Sequence, residues 1–456
     1  MDHVNWKRAV PIQYEADVAV IGGGIAGVCA ACAAAEEGAS VVLVERFAAV
    51  GGNATVGGVA NWQGETAGQG RIFDEILAMQ EEWKGIAPYP GPADNFTNSV
   101  RVFDHEVLAI ILQELLSQYG VRVLLHTRFA DVMREGPVLG PALIVGASGL
   151  EALRASVFID ASGDACLARA AGCEMLPRAP LGLLPPSMMF FVRELEQPAE
   201  PQVPEDWLDT IASEEQLPMT SVWPAGPKAL AIKAKVIGFD TAVTEDMTAL
   251  EIRARRRAWE IVDYYQRDTD GNRRAFLGYA EGKPTAAQSR HWFFDHSSPI
   301  VGLRETHRIA GDYVLTVDDL RAGRSFEDAV ARGVMYLDGM RPDDEKRTYL
   351  LSREEQKVPP YHIPLRSLMA RGTDNLLMAG RCFSSDQLAL SSARVMPTCA
   401  MMGQAAGRAA AWTAEEGASV RAIDGRALSR HLKAKGANLD LTRPDPKAVT
   451  EAGQGS

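Results

Sequence analysis

The strongest constraint on the fold lies between Asp17 and Glu45, where the order of residue types leaves few architectures open. The run from Val18 to Ala35 holds 18 residues without a charge, three adjacent glycines and a Cys-x-x-Cys pair. It admits three readings: a membrane span, a redox dithiol, or a turn that cradles a nucleotide. A span needs roughly 20 apolar residues, and the run falls close to that. Its internal order points elsewhere. Asp17 to Ile21 reads as a buried strand, and Gly22 to Gly27 supplies Gly-x-Gly-x-x-Gly. The alanine-rich run to Glu37 then reads as a helix closed by Gly38. Ser40 to Glu45 is a second short strand ending in an acid, 21 residues beyond Gly24.

Strand, glycine turn, helix, strand and acid in that order make a dinucleotide-binding unit. Gly22 permits the tight turn, Gly24 lets a pyrophosphate approach the backbone at the helix N-terminus, and Gly27 lets helix and strand pack closely. Glu45 is placed to accept hydrogen bonds from the hydroxyls of an adenosine ribose. Cys29 and Cys32 fall in later turns of the same helix, whereas a reactive dithiol sits at a helix N-terminus, where the dipole lowers the thiol pKa. Packing is therefore the expected role of both thiols.

Three further segments separate FAD from NAD. Past Glu45 the chain continues Arg46-Phe-Ala-Ala-Val-Gly51-Gly52-Asn53-Ala54-Thr55, and this glycine pair is absent from the plain NAD pattern. Val157 to Asp164 is a strand running into a small-residue turn, Ala161-Ser-Gly163. Asp374 to Arg381, followed by Ser391 to Gly407, looks like the last strand and last helix of an FAD fold. Pro397 suits the first helical position, and the dipole behind it favours negative charge on a reduced flavin. Gly403 and Gly407 expose backbone for close packing, and the nearby Gln404 and Arg408 argue against a membrane Gly-x-x-x-Gly.

On these segments the chain resembles the FAD-dependent oxidoreductases related to the fumarate reductase and succinate dehydrogenase flavoproteins. Within them it is most similar to a bacterial group marked by three motifs, which read here Arg304-Glu-Thr-His-Arg-Ile309, Ile363-Pro-Leu-Arg-Ser-Leu368 and Asn375-Leu-Leu-Met-Ala-Gly-Arg381. The resemblance implies an α/β fold: a Rossmann-like FAD-binding domain of glutathione reductase type with an inserted α+β substrate or cap domain. It implies FAD contacts at Gly22, Gly24, Glu45, Arg46, Gly52, Asn53, Ala54, Phe129, Gly163, Arg381, Val395 and Met396, with Ile25, Ala26, Gly27, Gly51, Ala161 and Gly380 completing the set. Two positions depart from the relatives. Where the succinate dehydrogenase flavoproteins attach FAD through a histidine, this chain has Asn53, Ala54 and Thr55, so FAD is expected to bind non-covalently. Where relatives carry Thr-His after the Ala-Gly-Arg segment, Asp386 and Gln387 stand.

Flavin-proximal segments at both ends predict a discontinuous cofactor domain over 14–185 and 357–441, a substrate or cap domain over 186–356, and a disordered tail over 442–456. Ser187 to Val192 reads as a strand, Glu196 to Glu205 as a loop, and Ala249 to Gln266 as an arginine-rich helix. A hydrophobic fraction of 46% with 23% charged residues is globular, and a formal net charge of -12 makes a nucleic-acid partner unexpected. The six cysteines are too scattered for a disulfide framework, and the charged N-terminal residues leave no secretory signal core, so a cytoplasmic chain with no membrane span is expected.

No second Gly-x-Gly-x-x-Gly follows a strand, so electrons are expected to pass between a small-molecule substrate and an acceptor of undefined identity: oxygen, a quinone or a carrier protein. The candidate catalytic residues are His362, Arg394 and Arg304. His362 precedes the return of the chain to the flavin, and a structural role there is equally open. The two arginines can grip a carboxylate or a polyhydroxylated substrate with their fork geometry; for Arg304, though not for Arg394, a structural ion pair with Glu305 or Asp338 is equally open, and Arg366 shares the options of Arg304. His307 is expected on an alternating strand, packed, and His291 and His296 in a half-buried loop. No metal motif or nucleophile elbow is present. Two rival functions use the same glycine turn: an NAD-linked dehydrogenase, and a flavin-bearing RNA-modifying or RNA-binding protein.

Overall fold

A computed structural model describes residues 2, 7–59, 61–88, 101–207, 211–226, 228–267, 290–346 and 349–442. The tail expected from 442 onward lies, from 443, outside the described residues. The charge-free run of the opening motif divides in two: its start ends the strand Ile12–Ile21 and its remainder forms the helix Ile25–Glu36. Among the described residues no helix is long and apolar enough to cross a membrane.

The strand Ile12–Ile21 lies at the centre of a seven-stranded sheet, parallel to Val41–Val44 on one side and to Gly149–Asp160 on the other. Arg122–Leu124 extends the sheet beyond Val41–Val44. The long strand Gly149–Asp160 serves two partners in succession. Its first half pairs antiparallel with Val138–Gly146, which pairs with Arg128–Glu135, and its last residues pair in parallel with Leu376–Met378. Val41–Val44 is apolar and buried at every position, as expected of a parallel strand covered on both faces.

The closing helix Met396–Glu416 lies against Ile25–Glu36. A Cβ on Gly403 would come 2.1 Å from the carbonyl oxygen of Ala26, and one on Gly407 would come 2.1 Å from that of Ala30. Only glycine permits backbones this close. The same contact buries Arg408, whose side chain is 0% exposed and is ion-paired to Glu36, with Glu37 at 3.4 Å. Lys435 adds a third partner to this cluster at 3.0 Å from Glu36.

Burial pushes the Glu36 carboxyl up, but Lys435, Arg408 and Arg71 outweigh it and hold the group below the usual glutamate range. A depressed folded-state pKa gives stability that is present above the unfolded value, about 4.3, and lost as pH falls through the folded one. Thermal melts across pH 3 to 7 are therefore expected to show Tm dropping on the acid side, with a shallower drop in Glu36→Gln.

Four strands make a second sheet in the order Thr220–Gly226, Ala229–Lys235, Ser187–Glu194, Trp292–Ser297, antiparallel throughout. Alternation assigns its faces. Met188, Phe190 and Val192 pack with Leu250, Ala254 and Ile261 of the helix Thr244–Gln266, while Met189 and Phe191 face the other way with Trp223 and Ala231. The helix begins five residues before the Ala249 expected from the apolar pattern. Glu245 and Asp246 in its first turn complement the helix dipole without contributing apolar periodicity. Beyond Leu303 the chain rejoins the main core through Leu315, Leu320, Ala331 and Leu337.

Candidate active site

Where the parallel strands end, the Gly22 turn opens a groove of about 580 Å³. Gly22 has φ +104°, and a Cβ there would lie 2.6 Å from the Ala161 carbonyl oxygen, so strand ends and turn are in backbone contact. The Cβ of residue 24 would meet no atom within 4 Å; this face is open. Gly51 donates its N–H to the Gly23 carbonyl at 2.7 Å, which places Gly51, Gly52 and Asn53 beside Gly24, Ile25 and Ala26 along the groove wall. Gly380 and Met396 line the wall at the end formed by the closing helix.

The acid end of the groove is fixed by backbone donors. Glu45 accepts from Gly23 N–H at 2.7 Å and from Phe47 N–H at 2.9 Å. Its burial pushes the carboxyl up by more than these bonds lower it. Phe129 lies near it on the wall, with Thr127 and Arg128.

Between the two ends, Ala161 and Gly163 lead to Asp164, which is held by Arg46 at 3.1 Å, Arg381 at 2.8 Å and the Thr306 hydroxyl at 3.1 Å. Burial favours the protonated carboxyl, but Arg381 and then Arg46 outweigh it and keep the group below the usual aspartate range. The other Arg381 amine, Nη1, is buried without a partner among the described residues.

A second, smaller cavity of about 120 Å³ adjoins the groove. Asn53, Leu303, Arg394 and Met396 line both spaces. The far wall comes from the second sheet through Ser187, Met189, Trp223 and Lys233, and Asn61, Gly302, Arg304, Asp338 and Val395 are also among the lining. Arg394 is ion-paired to Asp338 at 2.7 Å, and Arg304 donates from Nη1 to the Pro185 carbonyl and the Ser187 hydroxyl, each at 2.7 Å.

A family model described as FAD dependent oxidoreductase matches residues 17–432. The chain belongs to this family. No curated protein matches it. Among solved structures it is similar to the anhydrotetracycline hydroxylase OxyS of Streptomyces rimosus, at 11% identity over 92% of this chain and 66% of that one, with a TM-score of 0.45. It is also similar to a geranylgeranyl bacteriochlorophyll reductase-like protein of Thermoplasma acidophilum, at 13% identity over 96% of both chains and TM-score 0.48. A third is the myxobacterial chondrochloren halogenase CndH, at 14% identity over 93% of this chain and 79% of that one, TM-score 0.48.

This oxidoreductase is thus FAD-dependent, and the groove fits that cofactor. It offers an open glycine at a helix N-terminus, an acid at the end of the second strand, and the orphaned Arg381 amine where an anionic group would satisfy it. Arg381→Ala is expected to weaken FAD retention about 10- to 100-fold, the scale of a lost charged hydrogen bond, read as flavin remaining after gel filtration.

Several candidates fall elsewhere. Gly27 lies beneath the groove rather than on its wall: a Cβ would be 1.9 Å from the Gly22 carbonyl oxygen, so its role is packing. Ala54 is fully buried under the wall, and Val395 faces the smaller cavity. His362 reaches neither space. It pairs with Arg332 across a two-stranded sheet, its Nε2 lies 2.7 Å from the Leu439 carbonyl, and its Nδ1 accepts from Phe326 N–H at 3.2 Å. With both ring nitrogens bound to backbone it has no free site for proton transfer.

Arg366 pairs with Asp328 at 2.9 Å, away from both spaces. Asp386 caps the helix Gln387–Ala393, and Gln387 donates to Glu305 at 2.7 Å, so this pair is architectural. His307, expected on a strand, lies in an irregular segment on the groove wall, its Nδ1 buried without a partner among the described residues. His296 lies on a strand rather than a loop, stacked on Phe191 at 4.4 Å. His291 sits just before that strand, with Nδ1 2.9 Å from the Leu195 carbonyl. All six cysteines are free, and burial pushes the Cys29 and Cys32 thiols well above their ordinary range, as packing residues require.

Proposed function

We propose that this enzyme moves a hydride between FAD, bound non-covalently in the groove, and a small polar metabolite held in the adjoining cavity. The wall common to both spaces carries this reading: Asn53, Leu303, Arg394 and Met396 put the smaller cavity against the groove at its closing-helix end. When bound, FAD supplies the hydride acceptor at its N5.

The chain's own residues supply the rest. The helix that starts at Met396 directs its N-terminus at the groove, where its dipole favours negative charge. The second sheet covers the cavity with Met189 and Trp223 and keeps water from the reacting carbon. Arg394, held by Asp338, fixes the orientation of a bound polar group. The motifs shared with fumarate reductase-like flavoproteins support hydride chemistry, and the second sheet with its helix takes the role of substrate cap, which is shorter than the expected 186–356 because the chain beyond Leu303 belongs to the main core. With one dinucleotide fingerprint in the sequence, electrons leave to oxygen, a quinone or a carrier protein in the cytoplasm, and no RNA is involved.

The test is anaerobic addition of hydroxy acids, amino acids, sugars and enols to the oxidised holoenzyme, with NADH and NADPH in parallel. Bleaching of the flavin by one metabolite class is expected. Bleaching by a nicotinamide alone would overturn the assignment of the metabolite as electron donor.

A further inference from the structure

Five polar residues of the smaller cavity bear on what it can hold. Arg304 is 8% exposed, and the groups to which it donates, the Pro185 carbonyl and the Ser187 hydroxyl, are both uncharged. Arg394 and Asp338 neutralise one another at 2.7 Å. Lys233 lies with its Nζ 5.5 Å from the centre of the Trp223 ring and is engaged with its own neighbours. With Arg304, Arg394 and Lys233 against the one carboxylate of Asp338, the lining carries an excess of positive charge. Asn61 is 2% exposed, and its Nδ2 donor has no partner among the described residues. A buried cation and a buried amide donor, both short of acceptors, are costly unless something brings acceptors to them.

We infer that the cavity is built for a compact monocarboxylate, its charge held by Arg304 beside Arg394 and one of its oxygens by the Asn61 amide. This rests on the proposed function and names the chemistry of its metabolite. A carboxylate offers two oxygens to a planar guanidinium and retains lone pairs for an amide N–H, so it satisfies all three groups at once. Its negative charge offsets part of the positive excess. The volume sets the size. At about 120 Å³ the cavity is smaller than the roughly 150 Å³ that accommodates benzene, which suits a ligand of about six heavy atoms. Met189, Trp223 and Leu303 leave room for a short carbon body beside the carboxylate. Burial first, and then the nearby Arg394 charge, bring the Arg304 pKa down to about 10, as expected of a cation waiting for an anion.

The experiment titrates oxidised holoenzyme with propionate, glycolate and lactate, and with the neutral propionamide and lactamide. Binding is followed by calorimetry and by the shift of the flavin visible band. Carboxylates are expected to bind at least about 10-fold more tightly than their amides. Arg304→Gln is expected to weaken carboxylate binding about 10- to 100-fold, and Asn61→Leu about 3- to 10-fold, with FAD content unchanged.

Should Arg304→Gln fail to fold, because it also holds Pro185 and Ser187, the Asn61→Leu titration still decides. Equal affinity for amides and carboxylates, no carboxylate binding, or affinities within twofold of the parent in both variants would overturn the inference. Carboxylates that bind in the wild type and never bleach the flavin would leave the inference standing while the hydride reading fell. A neutral metabolite that bleaches the flavin without competition from carboxylates would do the reverse.

Discussion

Gly27→Ala is expected to give a protein that retains no FAD and is at least about 3 kcal/mol less stable than its parent, beyond the usual cost of a single added methyl. The alanine methyl would sit 1.9 Å from the Gly22 carbonyl oxygen and 3.2 Å from the Ala161 Cβ. Neither neighbour can yield. Gly22 is held by its N–H to the Val44 carbonyl at 2.8 Å, and Ala161 by its N–H to the Ile21 carbonyl at 2.9 Å, so the methyl forces the helix away from three strand ends. Gly24→Ala is the informative contrast. Its methyl meets nothing within 4 Å and points into open groove, so the apoprotein keeps its stability while FAD binding weakens. Urea unfolding of both apoproteins, together with their flavin content, separates the packing role of Gly27 from the ligand-facing role of Gly24.

The second large effect lies in the contact between the opening and closing helices. Arg408→Ala is expected to cost about 3 to 5 kcal/mol, the range for breaking a buried ion pair from one side. Arg408 is wholly buried, and its loss leaves Glu36 with Lys435 and Arg71, and Glu37 with His431, whose Nε2 lies 2.9 Å away. Arg71 and Lys435 are partly exposed and soften the loss without cancelling it. Pairing Arg408→Met with Glu36→Gln removes both charges, and a large part of the stability is expected to return in urea unfolding. A full additive loss in the double variant would show that packing of the arginine stem, not the ion pair, accounts for the effect.

The opening unit could be read from sequence because its signals are local. Glycine spacing, an apolar run of strand length and an acid at the next strand's end each act within a few residues, and together they placed Gly22, Gly24, Gly52 and Glu45 about one groove. The smaller cavity carries no such signal. Asn61, Asp338 and Arg394 come from segments separated by more than 50 residues, and Asn61 stands in a two-residue strand with no periodicity to mark it. Arg304 and Arg394 stand out by residue type and motif, but nothing local shows that they share one cavity with Asn61. His362 misled for the opposite reason. Its position before the flavin-proximal return suggested chemistry, yet its ring is used as a backbone link between the strand Tyr361–Pro364 and the residues near Phe326 and Leu439. His307 reads as strand packing in the sequence, although the chain at that point is irregular and brings the ring to the groove. Local periodicity reports which face a residue takes in a regular element; it says nothing of what an irregular segment meets.

The central claim is that the metabolite reaches the cofactor through the smaller cavity, and filling that cavity tests it. Gly302 lines the cavity but not the groove, and a Cβ there meets only the Ser187 carbonyl oxygen at 3.5 Å and Asn53 Oδ1 at 4.0 Å, ordinary contact distances. Gly302→Leu therefore places a side chain into the cavity at a cost of about 1 to 3 kcal/mol in stability. The measurement is the anaerobic rate of flavin reduction by the reactive metabolite, in parent and variant loaded with equal FAD. A fall of about 100-fold or more with FAD retention unchanged is the predicted result; reduction at the parental rate would contradict the assignment of this cavity as the substrate site.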